Sequence, residues 1–360
     1  MMPENQSPIE AEEDQLKRPS LISHVIPYII TIIIFYLIFR NEDFGEIWRD
    51  LKEADLSLFL PAMAIFVTVF FLADVFTFGQ AYKWFNTRMT VKEMMECRAG
   101  PYVVQIGLAP LAEVLFPLYM WRKKGVRITE TLSSNLWTMI VDQSAVFTVL
   151  TAAVVYSLVT GLVPEINWVW LAVCIGFWVL FLGNIAFWHS RYQGKAANWI
   201  AEKSSAQVAD HIPKWRELLL RIAPGLITLL RTFSIARWHH YIRIFLVRLA
   251  MLAFNLVSNF AALMALDVTP PIPLILVGVP LIMLSVFMPI SVGGYGGPQA
   301  LAWLFFVKVV PCASPEVITA YSLLWSTGFL IGRAFWGLIF IRGFFKGTFP
   351  QGVRLRRKAG

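Results

Sequence analysis

Five ionisable side chains interrupt apolar stretches of this chain: Asp74, Glu113, Asp142, Arg248 and Arg333. A charge among apolar residues is costly and is retained where it pairs, lines a polar path or relays protons. An acid from the first half meeting an arginine from the second would provide charge balance or proton coupling between the halves. The plainer alternative is an ion pair that only fixes helix packing. For Asp74 the two readings weigh equally; for Arg248, one turn into its stretch and able to snorkel, the packing reading weighs slightly more than the functional one. Asn255 and Asn259 lie four apart and so share a helical face, and Gln105 and Gln143 add further polar groups. Singly, each suits an interhelical hydrogen bond. Together they would line a cavity fit for a polar headgroup.

A second feature is the segment MPISVGGYGGPQALAW, residues 288–303, with four glycines and two prolines in a strongly apolar region. Gly294-x-Gly296 has no following Lys-Ser/Thr and no preceding strand, so it is not a nucleotide loop. Close helix packing through small residues is one reading. The other is non-helical backbone at membrane depth, tolerated where protein or water covers it. Its free N–H groups, with the N-terminus of a helix starting near Pro298, would receive an anionic group such as a lipid phosphate. Pro289, Gly293, Gly294, Gly296 and Gln299 belong to that segment, and Pro110 with Glu113 forms its counterpart in the first half. No Ser/His/Asp set, His/Cys metal cluster or close carboxylate pair is present, so no enzyme activity, metal or cofactor is expected. Cys97, Cys174 and Cys312 are far apart and read as buried thiols.

These groups need elements that can hold them at depth. The chain is 57% hydrophobic and 15% charged, with a mean hydropathy of +0.62. The stretches 21–39, 57–79, 132–160, 168–188, 245–266 and 317–341 approach or exceed the roughly 20 apolar residues that cross a bilayer as a helix. Several of the 14 Trp lie near their ends. The first stretch has no small-residue cleavage site after it and reads as a retained span behind a disordered tail, residues 1–20.

The net charge of +8 is unevenly spread: nine Lys/Arg lie in 191–243 and six, with no acid, in 342–358. Residues 41–56 have six acids against Arg49 and Lys52, and 161–167 and 267–271 have no basic residue. The positive-inside rule then puts both termini, the basic tail 346–360 and the loop 190–243 in the cytoplasm. That loop suits amphipathic helices on the interface, its charges drawn to anionic lipid rather than nucleic acid. Phe44, Ile47, Trp48 and Leu51 share one helical face, which suits an interfacial helix on the outer side.

Basic residues Lys83, Arg88, Lys92 and Arg98 precede the stretch 99–121, and Arg122, Lys123, Lys124 and Arg127 follow it. Gly100, Pro101, Gly107, Pro110 and Pro117 load it with helix breakers. Two arms of about 11 residues would each rise roughly 16 Å, half the hydrocarbon core, so a re-entrant hairpin from the cytoplasm is predicted. The same count makes 272–312 start and end outside. The fold expected is all-α and polytopic, with about six spans and two broken or re-entrant hairpins. The halves, 57–160 and 245–341, would form an inverted repeat.

At these residues the chain resembles the flippase-like transmembrane family found as the membrane region of lysylphosphatidylglycerol synthases. That family carries a proline followed by Gly-Gly-x-Gly-x-x-Glu in its second half, matched here by Pro289, Gly293, Gly294, Tyr295 and Gly296. Its first half has a Pro-rich turn ending in an acid, then basic residues, then a helix with a buried Asp. Pro110, Glu113, Arg122 to Lys124 and Asp142 are similar. The likeness covers about residues 20–345. Gln299 stands where the family usually has Glu and Met139 where it commonly has Arg, and the turn before Glu113 is shorter and lacks its arginine. Charge is thereby removed from the implied site.

The resemblance implies movement of a phospholipid, or a polyprenyl- or triterpenoid-type lipid, between leaflets of the bacterial inner membrane. Pro289–Gln299 and Glu113 would contact the headgroup. The synthases' soluble aminoacyl-transfer domain is not seen before Gly360, so aminoacyl-lipid synthesis is not implied. Two alternatives stay open: a non-transporting membrane partner that presents lipid to an envelope-biosynthesis enzyme, and an intramembrane transferase.

Overall fold

A computed structural model describes residues 42–107, 109–161, 163, 166–189, 231–287 and 295–349, with isolated positions between 29 and 40. The expected first span, 21–39, therefore falls almost wholly outside the described residues, as do most of the loop 190–243 and the tail.

Ten α-helices are described: α1 Phe44–Glu53, α2 Leu56–Phe85, α3 Val91–Gly107, α4 Ala109–Lys124, α5 Ile128–Thr160, α6 Trp168–His189, α7 Trp238–Met264, α8 Ile272–Met283, α9 Gly297–Trp303 and α10 Pro315–Thr348. Five of them, α2, α5, α6, α7 and α10, are long and apolar enough to cross a membrane. Local chemistry sets their ends. Asp43 and Asp55 cap α1 and α2 by accepting from Gly45 N (2.7 Å) and Ser57 N (2.9 Å). At α3 the Thr90 hydroxyl accepts from Glu93 N while Glu93 accepts from Thr90 N, a reciprocal capping box. Gly161 ends α5 at φ 65°, where a side chain would strain the backbone.

The stretch 99–121 is a hairpin of α3, which ends at Gly107, and α4, which starts at Ala109. Pro101 and Pro117 remain inside its helices, and Pro110 falls in the first turn of α4, where a missing N–H costs nothing. The arms have 17 and 16 residues, so each rises about 25 Å rather than the expected 16 Å. Its open end is closed by ion pairs, Lys124–Glu93 at 2.9 Å and Lys123–Glu96 at 3.5 Å. Tyr119 stacks on Phe344 of α10 there, 5.6 Å between ring centroids. Lys92 and Lys124 thus lie at one end, together with the start of α5 and the start of α7: Ser134 donates to Asn86 (2.6 Å), and Trp84 stacks on His240 (4.3 Å). Residues 238–243 are the first turns of α7, and Ser133 donates to Thr232 (2.8 Å), anchoring the chain just before it.

The second hairpin, α8 followed by a 3-10 turn and then α9 with a π-helical turn Leu304–Val309, opens the other way. Its two ends share a cavity of about 470 Å³ lined by Val163, the 267–271 connection and Val310 to Cys312. Asp55 N donates to Ala265 O (2.8 Å), bringing the start of α2 to the same end. That end carries Glu42, Asp43, Glu46, Asp50, Glu53, Asp55, Asp267 and Glu316 against Arg40, Arg49, Lys52 and Lys308, and the opposite end Lys83, Lys92, Lys123, Lys124, Arg127, Arg231, Arg237, Arg243 and Lys346 against Glu93, Glu96 and Glu130. The ends are therefore acidic and basic respectively. On α1, Ile47 is buried while Phe44 and Trp48 are exposed, leaving an apolar edge beside the acidic end.

α10 ties the molecule together because it packs on both α2 and the α3–α4 hairpin. It does so through glycines: a Cβ at Gly337 would lie 2.7 Å from Val103 Cγ2 and 3.0 Å from the Ala99 carbonyl oxygen. Helices in lipid gain from such close approach because water is not there to drive association. By contrast α6 touches mainly α5, through the Phe147–Phe177 stack and a Trp178 indole donating to Thr151 Oγ1 (3.0 Å).

Candidate functional site

Three apolar clusters fill the interior, and the charged site lies where they meet. Asp74 sits on α2 between Phe71 and Phe78, Asp142 follows Val141 on α5, and Arg248 lies one turn past Ile244 on α7. Asp74 is 2% exposed, so its charge must be answered locally. Arg98 Nε donates to Asp74 Oδ2 at 2.6 Å, the Tyr102 hydroxyl donates to the same oxygen at 3.0 Å, and Arg248 Nη2 donates to Oδ1 at 3.0 Å. Arg248 Nε faces Asp142 Oδ1 at 3.6 Å, an ion pair too long for a hydrogen bond. One guanidinium thus stands between two carboxylates, and it joins α7 to both α2 and α5.

The arginines are also held by rings. The Arg98 guanidinium lies 3.8 Å from the Phe78 centroid and 4.9 Å from Phe116. Arg333, on α10, lies 4.1 Å from the Tyr102 centroid and 5.2 Å from Phe329, and its Nε is buried without a partner. Among the described residues Arg333 has no carboxylate partner. Thr77 Oγ1 and Gln143 Oε1, one turn from Asp74 and next to Asp142, are likewise buried and unpartnered.

Arg248 is ten residues into α7 and 3% exposed, so it does not snorkel: the span begins earlier than its hydropathy indicates because Trp238 to Tyr241 extend the helix. Arg98 and Tyr102 were not singled out as site residues. The sequence groups Arg98 with the basic flank of the hairpin, yet it lies two turns into α3. The available signal was its four-residue spacing from Tyr102, which puts both on one face.

A second polar layer lies about two turns further along α7. Asn259 Nδ2 donates to Asn255 Oδ1 (2.9 Å), Asn259 Oδ1 accepts from the Tyr321 hydroxyl (2.6 Å), and Ser258 Oγ accepts from Trp325 Nε1 (3.1 Å). These bonds engage α7 with α10. Gln299 joins α9 to α10: its Oε1 accepts from Gly296 N (2.7 Å) and its Nε2 donates to Ser326 Oγ (2.8 Å). Gly296 has φ 98°, a conformation side chains disfavour, so a larger residue there tests backbone shape rather than ligand contact. Pro289, Gly293 and Gly294 lie outside the described residues, as do the side chains of Pro110 and Glu113. Changing Gln299 to Leu leaves the Gly296 N–H and Ser326 hydroxyl without this partner. Thermal unfolding in detergent should then show a loss of about 1–3 kcal/mol.

Two hairpins that open toward opposite ends, with a buried ion cluster among the long helices, define a polytopic helical membrane protein built around an internal polar site. Over residues 24–327 the chain matches the family model described as the lysylphosphatidylglycerol synthase TM region, and it belongs to that family. No curated protein matches the chain.

Proposed function

We propose that the protein moves a lipid with a phosphate-bearing headgroup between the leaflets of a bacterial inner membrane. The observation that carries this reading is Arg333, whose guanidinium lies over the rings of Tyr102, Phe70 and Phe329 with its Nε buried and unpartnered. An N–H buried without a hydrogen-bond partner is costly, and a lipid phosphate would supply that partner through a charge-assisted hydrogen bond. Glu113, Pro110, Pro289, Gly293, Gly294, Gly296, Gln299, Asn255 and Asn259 complete the headgroup region in this reading.

The opposed hairpins suit an inverted repeat of 57–160 and 245–341, the second half turned over relative to the first, with access alternating between the ends. The hairpins then enter the membrane from opposite faces without crossing it. By the positive-inside rule the basic end and both termini face the cytoplasm. Arg248, between Asp74 and Asp142, can shift its contact from one carboxylate to the other as Asp142 gains or loses a proton, which couples transport to an ion gradient.

The test is purified protein in vesicles carrying a fluorescent phospholipid or, in parallel, a fluorescent polyprenyl phosphate. Transport above that of empty vesicles is expected for at least one lipid. Arg333→Gln should lower it about tenfold, equivalent to roughly 1.4 kcal/mol of lost contact, with the melting temperature unchanged. No excess over empty vesicles with either lipid, or an unchanged rate in Arg333→Gln, overturns the reading.

A further inference from the structure

A groove of about 680 Å³ runs between α5 and α6, and no residue of the charged cluster lines it. On α5 its lining recurs every three or four residues from Thr148 to Val159, so it follows one face of the helix. That face rises about 16 Å, half the roughly 30 Å of the hydrocarbon core. α6 contributes Trp178, which stands midway between Trp168 and His189. Val159 is next to the last residue of α5, at the acidic end. The groove therefore spans one leaflet, from the middle of the membrane to the acidic end. Aromatic rings close it at mid-membrane: Trp178 meets Phe177 and Phe181 edge-on, at 5.5 and 5.8 Å between centroids, and Phe177 stacks on Phe147.

We propose that this groove holds one acyl chain of a membrane lipid from the leaflet at the acidic end. Its chemistry suits hydrocarbon, not a headgroup. Among the described residues no charged side chain lines it, and its threonine hydroxyls are already engaged. Thr148 donates to Ser144 O (2.7 Å), Thr151 donates to Phe147 O (2.6 Å), and the Trp178 indole donates to Thr151 Oγ1 (3.0 Å). What is left for an occupant is apolar surface, chiefly Ala152, Val155 and Val159, exposed between two membrane-spanning helices. Water does not drive association at that depth, so the gain is close packing of a chain against a fixed surface. Length selects a chain over a helix. A partner helix that crosses the membrane runs the whole core, whereas this groove stops at the rings of Trp178 and Phe181. Tyr156, one turn from the end of α5, lies at the level where aromatic side chains meet headgroups. The carbonyl end of the chain therefore lies near Tyr156 and its methyl end near Thr148. A seated chain also gives α6, which rests mainly on α5, a second surface to pack on. The site does not depend on lipid being moved, and Arg333 takes no part in it.

Photolabelling in vesicles tests this without a transport assay. The full-length protein is placed in phosphatidylethanolamine–phosphatidylglycerol vesicles with a trace of phosphatidylethanolamine carrying a diazirine on one acyl chain. The diazirine sits at the methyl end in one probe and near the carbonyl in the other, and peptide mass spectrometry maps the adducts. The methyl-end label should fall on Thr148, Thr151 and Trp178, and the carbonyl-end label on Val155, Tyr156 and Val159. Methyl-end labelling of the groove should exceed that of Ile331 and Phe335, exposed at the middle of α10, by at least about fivefold, equivalent to roughly 1 kcal/mol of preference. Ala152 is exposed, so Ala152→Trp fills the groove without entering the core. It should bring labelling down to the α10 level at an unchanged melting temperature. Even labelling of the two surfaces, the same positions labelled by both probes, or labelling unaffected by Ala152→Trp overturns the proposal. A dimer in native mass spectra that Ala152→Trp dissolves gives the groove to a second copy and overturns it as well.

Discussion

Asp74→Asn is expected to cost about 3–5 kcal/mol of stability, the range for breaking a buried ion pair by removing one partner. The amide is nearly the same shape, so packing changes little. What changes is that Arg98 and Arg248, both buried and both bonded to Asp74, lose the charge that answers them. Unfolding of the purified protein in detergent, followed by tryptophan fluorescence, reads this loss. Asp142→Asn gives the comparison: at 3.6 Å from Arg248 and with a quarter of its side chain exposed, it should cost clearly less. Removing Arg98 and Arg248 together with Asp74 should recover part of the loss, since it deletes the unpaired charges as well as the pair. Equal destabilisation by Asp74→Asn and Asp142→Asn would mean that Arg248 is not shared as the distances indicate.

The second large effect belongs to Gly337→Leu. The α3 backbone passes so close that the first carbon of any side chain would meet the Ala99 carbonyl oxygen at 3.0 Å and Val103 N at 3.1 Å. A flexible neighbour could turn away, but helix backbone cannot, so α10 and the hairpin must separate. Overpacking of this kind costs about 1–3 kcal/mol or more, and here it also moves Arg333, one turn away, from Tyr102. Thermal unfolding should show the loss, and the same change at Gly176 of α6, with nothing within 4 Å, should leave stability nearly unchanged. Transport lost in Gly337→Leu at unchanged melting temperature would contradict the packing account.

Legibility in the sequence followed the range of the interactions. The long helices were readable because hydropathy is local: 57–79, 132–160 and 168–188 lie within α2, α5 and α6 almost to their bounds. The start of α7 lies earlier than hydropathy indicates because Trp238 to Arg243, Ile242 apart, are polar or aromatic and extend the helix beyond its apolar part. The hairpin 99–121 was readable from its paired basic flanks and its breakers, but its depth was not, because Pro101 and Pro117 were absorbed into helices instead of ending them. Arg98 was lost in the same way: next to other basic residues it looks like a flank, and only the turn of α3 brings it under Asp74.

By itself, the sequence determined that this is a membrane protein of long helices, with two interruptions, unlike charge at its two ends and ionisable groups within its apolar stretches. Each of these is written in composition or in short-range spacing. The tertiary structure decided the partners. Asp74 takes one arginine 24 residues away and another 174 residues away, Arg333 is left over, and Glu42 reaches Trp303 and Thr319 across nearly the whole chain. Periodicity sets which face of a helix a residue occupies. Which helix lies opposite that face depends on how closely α10, through its glycines, and α7 pack against the rest.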